Sequence, residues 1–124
     1  NQVAVLVGDF FYCRASDLLV GTENLRIIDL VSQVMRITTE GEIFEIVKSN
    51  DLTTTEEDYL KIVEQKTAVL FSASCEIGGI LGNVSEEFSS ALRRYGLNIG
   101  IAFQLADDML DYTCEEEIFG KHKG

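Results

Sequence analysis

Three aspartates and a glutamine stand in one short apolar stretch of this chain, Phe103-Gln104-Leu105-Ala106-Asp107-Asp108-Met109-Leu110-Asp111-Tyr112. On a helix, Gln104 and Asp108 are i,i+4, as are Asp107 and Asp111, while Asp108 and Asp111 are i,i+3. All four therefore share one face. Carboxylates held this close repel one another, and a half-buried helix does not carry them unless something cationic sits between them. A hard divalent ion shared with a phosphate is the economical answer. Mg²⁺ prefers oxygen ligands and usually takes only one or two carboxylates, completing its shell with water and substrate phosphates.

Other residues could serve the same chemistry. Lys66-Thr67 lies between the apolar residues Ile62, Val63, Ala68, Val69 and Leu70. Taken alone, such a lysine snorkels to the surface. Beside the aspartates, it offers a cation and a hydroxyl to a metal–phosphate site. Lys121, flanked by glycine in Gly120-Lys121-His122-Lys123-Gly124, is a second cation of this kind, or a plain loop lysine. Glu40-Gly41-Glu42 interrupts an apolar face and reads either as a solvated edge or as a helix packing contact through Gly41. His122 is the only histidine and has no partner at metal-ligand spacing. There is no serine triad, GxSxG, P-loop or GxGxxG.

Helices must position these groups. The chain has no proline, helical periodicity dominates, and strand alternation is scarce. The pattern predicts a first helix over about 2–15, interrupted by Ser16 and Asp17. Gly21-Thr22 marks a turn, with Thr22 as N-cap. A long helix follows, with Leu25, Ile28, Val31, Met35 and Thr38 on one stripe continuing through Gly41 and Phe44 to Val47. Thr53, Thr54 and Thr55, each with an acid three residues on, give overlapping capping signals for a helix over about 56–81. Gly82-Asn83 ends it. Asn83 or Ser85 caps a last helix over about 86–112, which carries the aspartates. The architecture predicted is all-α, with four main helices.

Composition narrows the function. At 124 residues the chain is one domain or part of one, and 46% hydrophobic content is that of a globular protein. The net charge of −11 argues against nucleic acid as partner. No long apolar run spans a membrane, and the first residues lack the marks of a signal peptide. Cys13, Cys75 and Cys114 lie far apart without CxxC spacing, as expected of a reduced, cytoplasmic protein without disulfides or zinc.

The aspartate-rich stretch resembles the second aspartate-rich (DDxxD) motif of the trans-type polyprenyl diphosphate synthases. Gly8-Asp9-Phe10-Phe11-Tyr12-Cys13-Arg14-Ala15 is similar to that family's GDF-x-x-x-RA helix. Glu40-Gly41-Glu42, Lys66-Thr67-Ala68 and Gly120-Lys121 match further motifs in family order, so the resemblance covers essentially the whole chain. It implies an isoprenoid synthase-type bundle of long antiparallel helices around a central cavity. It implies a Mg²⁺-dependent transferase that condenses isopentenyl diphosphate with an allylic diphosphate, of the bacterial medium- to long-chain kind. By the same resemblance, Asp107, Asp108 and Asp111 bind metal, Lys66, Thr67, Gln104 and Lys121 contact diphosphate, and Lys66, Thr67 and Gln104 serve catalysis. A homodimer through the first helix is implied as well.

The chain also departs from that pattern. The first DDxxD motif and the upstream arginine and lysine residues that hold isopentenyl diphosphate are absent. His122 follows Lys121 where proline is common, and Glu45 stands where glutamine is common. Residues 1–124 are thus expected to form part of a synthase domain, with the N-terminal half and the C-terminal end missing, and to be inactive alone. The rival expectation is a non-catalytic helical subunit that dimerises with a complete synthase. A terpene cyclase of related fold is disfavoured by the Lys66-Thr67-Ala68 and Gly8-to-Ala15 elements.

Overall fold

The computed structural model describes residues 1–113, all helices and turns: α1 (Gln2–Gly21), α2 (Leu25–Lys48), α3 (Glu56–Val63), a π-helical segment (Glu64–Ala68), α4 (Val69–Leu81) and α5 (Glu86–Thr113). Among the described residues no helix is long and apolar enough to cross a membrane. The chain divides into two compact units, Asn1–Gln33 and Val34–Gly124.

In the first unit, α1 does not end at Ser16 and Asp17 as the pattern predicted. The Ser16 hydroxyl donates back to the Tyr12 carbonyl at 2.9 Å, and Arg14 pairs with Asp17 one turn on at 3.3 Å. A polar pair satisfied along the helix surface is no reason for it to stop. Thr22 is not the N-cap of α2 either. Its hydroxyl bonds the Leu19 carbonyl at the end of α1, and Asn24 caps α2 by accepting from the Arg26 amide at 3.1 Å. α1 buries none of its own residues, leaving Val3, Leu6, Phe10, Phe11 and Tyr12 exposed.

In the second unit, residue pairs run in opposite directions along neighbouring helices. Gly41 meets Gln65, the Lys61 ammonium lies 4.6 Å from the Phe44 ring centroid, and Lys48 pairs with Asp58, so α2 and α3 are antiparallel. Gly100 meets Ala68, Gly96 meets Phe71, and Ser72 bonds the Arg93 carbonyl, so α5 runs antiparallel to the π segment and α4. Of the three threonine caps offered by the sequence, Thr55 is used. Its hydroxyl accepts from the Asp58 amide while the Asp58 carboxylate accepts from the Thr55 amide, a reciprocal capping box. α4 closes with Asn83 at φ 52°, the Asn83 amide donating to Ile80 and the Val84 amide to Gly79. Asparagine tolerates this left-handed position better than most residues. Ser85, not Asn83, caps α5 through the Phe88 amide.

Small residues set how closely these helices approach. A Cβ at Gly96 would lie 2.5 Å from the Phe71 carbonyl oxygen, and one at Gly100 would lie 2.5 Å from the Ala68 Cα. Val63, Ala68, Ala73 and Ser89 are buried along these helices. The expected uninterrupted helix over 56–81 is in fact broken in phase by the π segment. That segment carries Lys66 and Thr67.

Candidate functional site

Gln104, Asp107, Asp108 and Asp111 lie half-buried on α5, as the spacing predicted. Gln104 links two of the predicted groups. Its amide nitrogen donates to Asp108 Oδ1 at 2.8 Å, and its amide oxygen accepts from the Thr67 hydroxyl at 2.8 Å. The Thr67 contact depends on the close crossing at Gly100. There the π segment rides against the α5 backbone, so a short threonine side chain reaches across. Single π turns inside α-helices often mark functional positions, because the widened turn re-aims side chains that regular α geometry would direct elsewhere.

The second oxygen of Asp108 accepts from the Tyr59 phenol at 2.5 Å. Asp108 is therefore fixed from two sides, by its own helix and by α3. Burial, reinforced by the neighbouring carboxylate, pushes the Tyr59 phenol up to about 12, so it stays a proton donor across the neutral range. Tyr59 belongs to none of the motifs in the sequence. A signal was present nonetheless: Tyr59, Ile62, Val63 and Lys66 follow i, i+3, i+4, i+7 and so form one stripe.

Lys66 is held by α2. Its ammonium donates to Glu45 in a short hydrogen bond and lies 3.6 Å from Glu42. Partial burial opposes its charge, but the two carboxylates outweigh that and hold the ammonium above the ordinary lysine value. Gly41 makes the approach possible, since a Cβ there would sit 2.7 Å from Gln65 Cβ and 3.3 Å from Lys66 Cγ. Of the two readings of Glu40-Gly41-Glu42, the helix contact is the one found at Gly41. Glu40 faces outward and pairs with Arg36 at 2.7 Å. The partners of Lys66 are thus glutamates from α2, not the aspartates beside which the sequence set it.

These groups converge on one cavity of about 110 Å³, lined by Glu45, Tyr59, Ile62, Val63, Lys66, Thr67, Gln104 and Asp108. A wider concavity of about 340 Å³ continues past Glu45, Tyr59 and Asp108 to Asp111 and Tyr112. The structure therefore brings Lys66, Thr67, Gln104 and Asp108 together, with Asp111 on the adjoining wall. Lys121, with Gly120 and His122, lies outside the described residues.

Among the described residues no three histidine, cysteine, aspartate or glutamate side chains are grouped so as to cage a cation. The donors on α5 are nevertheless all carboxylate oxygens at helical spacing. That set suits a hard ion which takes few protein ligands and fills its shell with phosphate and water, and it does not suit a soft metal or a closed structural site. Chemically, the cavity offers the Lys66 ammonium, the Thr67 and Tyr59 hydroxyls and the Gln104 amide beside a carboxylate face. Such a set of donors suits a phosphorylated ligand.

Comparison with known proteins bears on which ligand. The family model for polyprenyl synthetase matches residues 1–124. The chain is 39% identical over 124 residues to the octaprenyl diphosphate synthase of Escherichia coli (strain K12), covering all of this chain and 38% of that protein. The crystal structure of a polyprenyl synthase from Caulobacter crescentus CB15, complexed with calcium and isoprenyl diphosphate, superposes with a TM-score of 0.91 at 44% identity, covering 97% of this chain and 37% of the other. The heptaprenyl diphosphate synthase of Staphylococcus aureus gives a TM-score of 0.95 at 30% identity, over 99% of this chain and 39% of the other. The chain spans about two-fifths of the length of the relatives it matches.

Proposed function

Because this chain belongs to the polyprenyl synthetase family, we propose that the full-length protein is a prenyltransferase that condenses isopentenyl diphosphate with an allylic diphosphate to a longer trans-polyprenyl diphosphate. The observation that carries this reading is the convergence of Lys66, Thr67, Gln104 and Asp108 on one cavity, where Gln104 bonds Thr67 and Asp108 at 2.8 Å. In it, Asp107, Asp108 and Asp111 hold Mg²⁺, and Lys66, Thr67, Gln104 and Lys121 hold the diphosphate. Bound Mg²⁺ would supply positive charge to the leaving diphosphate. Lys66 adds a fixed cation where negative charge grows as the allylic carbon–oxygen bond breaks, and the Thr67 hydroxyl turns its one proton from Gln104 to the diphosphate. Ile62 and Val63 line the same cavity and limit water beside the reacting carbon. Tyr59 and Gln104 keep the Asp108 carboxylate turned toward the ligand.

Incubating the full-length protein with farnesyl diphosphate, labelled isopentenyl diphosphate and Mg²⁺ tests the reading. Elongated labelled product is expected. Its absence from a folded preparation would refute the transferase and favour the non-catalytic subunit.

The reading includes a cytoplasmic homodimer formed through α1, whose exposed apolar residues, Phe10 and Phe11 among them, suit a second protein surface. Phe11→Glu in the full-length protein should sediment as monomer at micromolar concentration. A variant that remains dimeric would remove α1 from the interface.

A further inference from the structure

The resting partners of Lys66 are anions, and the ligand it would hold is an anion too. Both cannot have the ammonium fully. Glu45 makes the shorter contact of the two glutamates and also lines both concavities, so its charge faces whatever enters. Glu42 is farther from the ammonium and more exposed than Glu45, with 53% of its side chain open to solvent against 43%.

We propose that Glu45 is a positioning residue that holds Lys66 as an internal counter-ion and competes with the diphosphate for it, so that ligand binding is an exchange of one anion for another. This rests on the functional reading above and concerns the same site. The carboxylate bonds the Lys66 ammonium and satisfies its charge. When a diphosphate arrives, the ammonium turns part of its bonding to phosphate oxygens, and Glu45 is left repelling the new anion across the cavity. When the product diphosphate leaves, the carboxylate recovers the ammonium, which keeps the site from retaining it.

Glu45→Gln separates charge from position. The amide oxygen still accepts a hydrogen bond from the Lys66 ammonium, while the negative charge is gone. If Glu45 served only to hold Lys66 in place, this variant would bind diphosphate as well as wild type or less well. If it competes, the variant binds more tightly. The measurement is titration of inorganic pyrophosphate, in Mg²⁺ buffer, into the full-length protein by calorimetry. About a fivefold tightening is expected, the scale of one partly exposed ion pair, with Glu42→Gln changing affinity in the same direction but less. In a Lys66→Met background the effect of Glu45→Gln should shrink, leaving only the direct repulsion between Glu45 and the diphosphate, since the contested cation is gone. Unchanged or weaker pyrophosphate binding by Glu45→Gln at an unchanged melting temperature would overturn the proposal. So would an equal tightening in the Lys66→Met background. The binding measurement does not require turnover: loss of the transferase reading in the product assay and loss of the counter-ion proposal here are separate results.

Discussion

Lys48 and Lys66 stand 18 positions apart, and each is held between two carboxylates, yet they belong to different problems. The partners of Lys48 are Asp51 at 3.2 Å, in the turn that joins α2 to α3, and Asp58 at 3.1 Å, in the first turn of α3. Those carboxylates also bond threonines. The Thr53 hydroxyl and amide and the Lys48 ammonium together draw Asp51 down to about 2. The Thr55 amide, ahead of Lys48, lowers Asp58 as well. Every charge there is spent on closing a turn. The partners of Lys66 come from another helix and sit on the wall of a cavity that also holds Thr67, Gln104 and Asp108. The same residue type with the same count of partners is structural where the carboxylates are saturated by local backbone, and available for binding where they border open space.

The comparison is sharpest when each lysine loses its charge. Lys66→Met in the full-length protein should lower kcat by about 10²–10³, the cost of one missing transition-state contact, with little change in melting temperature. A variant that turns over like wild type would make Lys66 a second Lys48. Gly100→Ala probes what brings the π segment to α5. Its new Cβ would meet the Ala68 backbone at 2.5 Å, so a loss of about 1–3 kcal/mol in chemical denaturation is expected. Turnover should fall too, because Thr67 and Gln104 would be pushed apart. Stability equal to wild type would show that the crossing is slack. Lys48→Met should give the smallest effect, a melting temperature a few degrees lower with kcat unchanged, since the pairs it breaks are at the surface.

The pH dependence of that last variant has a definite sign. Asp51 has its folded value lowered from 3.8 to about 2, so its contribution is present above the ordinary carboxylate range and is lost as pH falls toward 2. Lys48 has its folded value raised, so its contribution is present below 10.5 and is lost as pH rises through the higher folded value. The gap in melting temperature between wild type and Lys48→Met should therefore be full near neutrality, narrow as pH falls below about 4, and close only below the folded value of Asp51. A gap undiminished at pH 2 would mean Lys48 acts through its alkyl stem instead of its charge.

Much of this could be seen in the residues alone, and the gaps have physical causes. The grouping of Gln104 with the aspartates on one face follows from side-chain spacing, which a helix preserves; on α2 the buried positions are Ile27, Val34 and Gly41, while Leu25, Met35 and Val47 of the predicted stripe are exposed. Ser16 and Asp17 look like a stop for α1 because they are polar, but both side chains find partners along the helix itself. The counter-ions of Lys66 were beyond reach for another reason. Glu45 is 21 positions away, and nothing in spacing says which helix will lie against which. The π segment leaves no mark in the sequence because Glu64-Gln65-Lys66-Thr67-Ala68 gives no signal for a wider turn.

That wider turn acts as a phase shifter. One residue advances an α-helix by about 100°, so a helix with one residue too many between two α-helical stretches presents a different side before and after it. Val63 and Ala68 are five positions apart, a spacing that would aim them at different sides of a regular α-helix, yet both are fully buried. The offset lets α3 offer its Tyr59 stripe to Asp108 while α4 still meets α5 through Phe71 and Ser72. The surplus residue thus behaves like a gear tooth between two wheels: chemistry is timed on one side and packing on the other, and each stretch of helix can drift in sequence without dragging its neighbour out of step.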